Sequence, residues 1–97
     1  SGDESADSVL LLEELVRLLG RSRDPRVLPV LELARDHPVS QVRIAAVRGL
    51  AMVGGEEARA LVEDIARNDY DRSVVEVANR ELGRFIARGR LGRMRRP

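Results

Sequence analysis

The 97-residue chain has no cysteine, no lysine and no tryptophan, and only one histidine. Without cysteine there is no disulfide framework, no thiolate zinc site and no thiol chemistry. Without lysine there is no phosphate loop of the Walker type, and one imidazole does not furnish a histidine-based metal site or a triad. Aromatics make up 2% of the residues, one Phe and one Tyr, so a core must come from Leu, Val, Ile and Ala. The longest apolar run, Val9 to Leu12, falls far short of the roughly 18–20 residues that a membrane span needs. No secretory apolar region opens the chain, which leads us to expect a cytoplasmic protein. Strand signals are also missing.

What is present suits one folded domain. The chain is 43% hydrophobic and 34% charged, and its length allows a single core. Net charge is only +1, yet it is unevenly placed. The first fourteen residues carry five acids and no base, and residues 84–97 carry six arginines and no acid. All 17 basic residues are arginine, whose planar fork suits carboxylate and phosphate, although arginine-favouring codon usage accounts for the bias equally simply. Residues 1–7 read as a disordered acidic start or linker, 8–87 as the folded domain, and 88–97 as a flexible arginine-rich tail. Ser1-Gly2 stands where an initiator Met would, as a tag remnant on an excised domain would.

The apolar residues recur at helical spacing. Val42, Ala45, Ala46, Gly49, Leu50 and Val53 form one stripe, and Val74, Val77, Ala78, Leu82 and Phe85 repeat it 32 residues later, with Glu81 in the place of Gly49. A third stripe runs through Ala58, Leu61, Val62, Ile65 and Ala66, and its counterpart through Val30, Leu33 and Ala34. Seven identities align at this offset without a gap, most of them on apolar faces, which is the mark of an internal repeat. Punctuation divides the chain into five helices, about 8–19, 25–36, 39–53, 56–67 and 72–87. Gly20 ends the first, Asp24-Pro25 opens the second, His37-Pro38 separates it from the third, Gly54-Gly55 closes the third, and Asp71 caps the fifth. Pro29, one turn into the second helix, should bend it without breaking it.

The string Leu19-Gly20, Asp24-Pro25-Arg26, Leu28-Pro29, Leu33-Ala34-Arg35-Asp36, Val42-Arg43, Ala45-Ala46, Gly49-Leu50 and Gly54 resembles the HEAT-like repeats, particularly the short form named after phycobilisome lyases. The resemblance covers about four-fifths of the chain, with two repeats at about 24–54 and 56–86. It implies an all-α fold, a short α-solenoid of about five antiparallel helices: two full HEAT-like hairpins plus one preceding helix. The second repeat departs from the pattern, since Val75 stands where the first has Arg43. Ala45, Ala46 and Gly49 on a buried face let neighbouring helices approach closely, so hairpins stack as flat layers in which each repeat touches only its neighbours.

No constellation of catalytic residues emerges. His37 reads as a turn residue, Asp69, Asp71 and Glu76 lack the glycine and closing glutamate of a calcium loop, and Ser8, Ser40 and Ser73 read as caps or solvent-facing residues. No cofactor and no metal is expected. Arg48 and Arg80 occupy equivalent places on the second helices and, with Arg84 and Arg43, form the candidate partner-binding set; a ladder of arginines could hold an acidic peptide or a phosphate backbone. For Arg43 the preferred reading is an ion pair with a turn aspartate such as Asp36 or Asp71. For Arg48 and Arg80, ordinary surface pairing is an equal alternative. In the tail, Arg88, Arg90, Arg93, Arg95 and Arg96 are candidates for polyanion contact, although no aromatic interleaves them for base stacking.

The sequence thus points to a non-catalytic protein–protein interaction or scaffold module that uses its second-helix face. A nucleic-acid or other polyanion binder is the alternative. A lyase-type enzyme or subunit is a lesser one, carried only by the family resemblance. The acidic front, basic end and exposed terminal faces also make self-association an expectation.

Overall fold

Ala45, Ala46, Gly49 and Leu50 lie on one side of a helix with the Gly54-Gly55 pair just beyond it, and the chain obeys both signals. A computed structural model describes residues 2–94, with side chains for residues 6–89. Five α-helices follow in order: α1 Gly2–Arg21, α2 Leu28–Ala34, α3 Ser40–Val53, α4 Gly55–Asn68 and α5 Arg72–Met94, with a 3-10 turn, Pro25–Val27, leading into α2. No strand occurs among the described residues. Gly54 and Gly55 take φ of 73° and 87°, the left-handed turn that glycine adopts at little cost, and reverse the chain between α3 and α4.

The helices form two layers. α1, α3 and α5 lie side by side in one, and α2 and α4 cover the grooves between them from the other. The Cα atoms span 26 Å and 16 Å across the two shorter axes. Three helices abreast and two layers deep give about these dimensions at helix spacings of roughly 8–10 Å. The core is aliphatic: Val16 from α1, Leu28 and Leu31 from α2, Val42, Ala46 and Leu50 from α3, Ala58, Val62 and Ile65 from α4, Val74 and Ala78 from α5. The stripes expected on α3, α4 and α5 are therefore the buried faces. Truncating a fully buried leucine such as Leu50 to alanine should cost about 2–5 kcal/mol.

Four local expectations change. Gly20 does not end the first helix; it lies inside α1, and the left-handed residue after the helix is Arg23, at φ 56°. Pro25–Pro29 is not one bent helix but a 3-10 turn feeding a separate α-helix whose first turn holds Pro29. That entry, with about three residues per turn, sets the phase of α2. Leu28 and Leu31 consequently fill the core, while Val30 and Leu33, expected inside, are exposed. The helices also overrun the expected domain limits: α1 starts at Gly2 and α5 continues to Met94, past Gly89 and Gly92.

Capping follows the sequence more closely. The Asp24 carboxylate accepts from the Arg26 N–H at 2.9 Å and from the Arg26 guanidinium, and is held below its ordinary pKa chiefly by that guanidinium. Asp71 accepts from both the N–H and the hydroxyl of Ser73, at 2.8 and 2.7 Å, and its carboxyl is likewise lowered, first by the hydroxyl. His37 Nδ1 accepts from the Val39 N–H at 3.0 Å, so the single imidazole shapes the turn before α3.

Candidate functional site: an arginine-lined cleft

Of the arginines singled out from the sequence, Arg43 goes elsewhere. It is 3% exposed and spends its donors inside the protein. Nε donates to Asp69 Oδ2 at 3.0 Å, Nη1 donates to the carbonyls of His37 and Pro38 at 2.8 and 2.9 Å, and the guanidinium lies 4.5 Å from the centroid of the Tyr70 ring. One side chain thereby joins the α2–α3 turn to the α4–α5 turn. The expected ion pair exists, but its acid is Asp69, not Asp36 or Asp71. Arg43 is a latch between repeats, and a buried guanidinium with its donors taken offers nothing to a partner. Val75, at the equivalent place on α5, leaves the second repeat without such a latch.

Arg48, Arg80 and Arg84 do come together. With Ala51 and Met52 of α3, and Val77, Glu81 and Arg88 of α5, they line a cleft of about 310 Å³ between the two second helices. Arg48 and Arg80 are exposed and have no ion-pair partner among the described residues. Arg84 Nη1 donates to Glu81 Oε1 at 3.2 Å. Ala51, Val77 and Met52 give the cleft an apolar floor, with four guanidinium groups and one carboxylate around it.

Glu81 explains why the cleft opens here. Its repeat equivalent, Gly49, meets Gly20 of α1 backbone to backbone, so α1 and α3 touch. A glutamate cannot sit at such a contact. Its carboxylate, on a residue only 6% exposed, accepts from Arg84 in a space that glycine would have closed. The substitution of Glu81 for Gly49 was visible in the repeat alignment, and it is the signal that could have located the cleft.

Arg88, expected in a mobile tail, belongs to this wall. It lies within α5, donates from Nη1 to the Ala51 carbonyl at 3.0 Å and stands 5.9 Å from the Phe85 ring centroid. Ala51 is in the last turn of α3, where carbonyls lack helical partners, and a cation there also complements the helix dipole. Of the other tail candidates, the side chains of Arg90 and Arg93, and all of Arg95 and Arg96, lie outside the described residues. No group of three or more potential metal ligands occurs among the described residues, and none of their helices is long and apolar enough to cross a membrane.

Two-layered helical hairpins, stacked with a 32-residue step and in contact only with their neighbours, define an α-solenoid repeat protein. The family model of HEAT repeats matches residues 4–83, and the chain belongs to that family. No curated protein and no solved structure gives a significant match. HEAT repeats generally mediate protein–protein interaction and are typically non-catalytic.

Proposed function

We propose that this protein is a non-catalytic interaction module that grips an acidic segment of a protein partner in the cleft between α3 and α5. The observation that supports the reading is the convergence of Arg48, Arg80, Arg84 and Arg88 around an apolar floor, with only Glu81 to balance them. Guanidinium forks favour carboxylates, and Met52 and Val77 suit an apolar residue beside the acid. Exchange of Arg48 and Arg80 together for glutamate should abolish capture of a fluorescent Asp/Glu-rich peptide while leaving the helical circular dichroism signal unchanged. Undiminished capture would remove the site.

The polyanion alternative makes a different demand. Binding of duplex or single-stranded oligonucleotide should be strong at low salt and fall steeply as salt rises. The same titration run with oligonucleotides therefore separates the two readings.

A further inference from the structure

The two ends of the helical array differ. The outward face of α5 is polar, presenting Arg72, Glu76 and Asn79 to solvent. The outward face of α1 is not. Leu11, Leu15 and Leu18 lie at i, i+4 and i+7, opposite the buried Val16, and are 73%, 52% and 52% exposed. Leu10, also exposed, lies on another side of α1, with Ala6, Val9 and Gln41 of α3. A stripe of this kind on a helix of 20 residues, about 30 Å long, is a docking surface left open.

We infer that this face pairs with the same face of a second copy, the two α1 helices running antiparallel about a two-fold axis between Glu14 and Leu15. The inference is independent of the arginine cleft. Two properties of α1 select this occupant. In this register Leu11 of one copy meets Leu18 of the other, and the two Leu15 side chains flank the axis. The charges are also complementary to themselves only when the helix is reversed. Asp7 lies toward the N-terminal end and Arg21 closes the C-terminal end, while Arg17 is already paired with Glu13 and Glu14 of its own helix. Antiparallel pairing sets Asp7 of one copy near Arg21 of the other, whereas parallel pairing opposes like charges. The contact is small, so the dimer should dissociate on the order of 10 µM.

Sedimentation equilibrium of the full chain from about 1 to about 500 µM should record a monomer–dimer transition in that range. The double variant Leu11→Glu/Leu18→Glu, altered only at exposed positions, should be monomeric throughout with an unchanged helical signal. Asp7→Arg should weaken dimerisation about tenfold, and adding Arg21→Asp should restore it. Because the chain has no cysteine, Leu15→Cys should give a covalent dimer with a short thiol crosslinker and Asn79→Cys should not. A monomer at every concentration, or a dimer indifferent to the leucine changes, overturns the interface. Failure of the charge reversal to restore pairing overturns its antiparallel sense.

Discussion

Gly20 and Gly49 bring α1 and α3 into backbone contact: a Cβ added at Gly20 would fall inside the van der Waals envelope of the Gly49 Cα. That contact makes a series of glycine-to-alanine changes diagnostic. Gly20→Ala must push two backbones apart, which should cost about 1–3 kcal/mol even after the gain in helix propensity. At Gly49 the nearest atom to an added Cβ is Leu31 Cδ2, at 3.1 Å, the end of a side chain that can turn aside. Propensity and crowding should nearly cancel there. Gly83, inside α5, has nothing within 4 Å, so Gly83→Ala should stabilise by about 0.5–1 kcal/mol. Thermal unfolding of the three variants should rank them Gly83→Ala, Gly49→Ala, Gly20→Ala from most to least stable.

The Arg43 latch carries a larger stake. Removing the guanidinium by Arg43→Ala strands the Asp69 carboxylate, whose side chain is 7% exposed, and should cost about 3–5 kcal/mol in urea unfolding. Arg43→Lys should recover little of this, because an ammonium cannot reach Asp69 and two carbonyls from a planar fork. In the double variant Arg43→Ala/Asp69→Ala the loss should be smaller than the two single losses combined. Strict additivity would mean that the two side chains do not act as one unit.

The capping aspartates contribute to the acid limit. Asp24 and Asp71 both titrate below their ordinary 3.8 in the folded chain, lowered by Arg26 and by Ser73 respectively. A depressed folded pKa means that the fold prefers the charged form. The stabilisation is therefore present above about pH 4 and is lost as pH falls through the folded values. Urea midpoints should stay level on this account from pH 7 to about 4.5 and then decline. Asp71→Ala should lower the midpoint at neutral pH, and the gap from the unaltered chain should narrow below pH 4. A gap independent of pH would show that the carboxylate charge plays no part in the cap.

The fold was legible in the sequence because its information is local and repeated. The stripes of α3 and α5 read directly as buried faces, and Gly54-Gly55 and Asp71 did what such residues do at helix ends. The phase of α2 was not legible, since it depends on whether Pro25–Val27 forms a 3-10 or an α turn, which decides between Leu31 and Leu33 for the core. Gly20 misled for a related reason: a glycine near the end of a helix signals either a stop or a close approach, and only the position of Gly49 distinguishes them. Arg48 and Arg80 were placed on one surface by the repeat. Arg43 was already set apart as an ion-pair residue, though its acid, Asp69, was not foreseen, and Arg88 joins them because α5 runs past residue 87.

Glu81 offers the last test, because it is the one carboxylate among the four arginines of the cleft. Glu81→Gln keeps the side chain's shape while removing its charge and releasing Arg84 from the ion pair. The cleft then presents more unopposed positive charge to an acidic ligand. Affinity for the Asp/Glu-rich peptide should rise about three- to tenfold, and its salt dependence should steepen. Fluorescence anisotropy at two ionic strengths measures both. The amide leaves the cleft open, so a loss of binding would mean that the carboxylate itself contacts the ligand, and the cleft would then be a site for a cation-bearing partner instead.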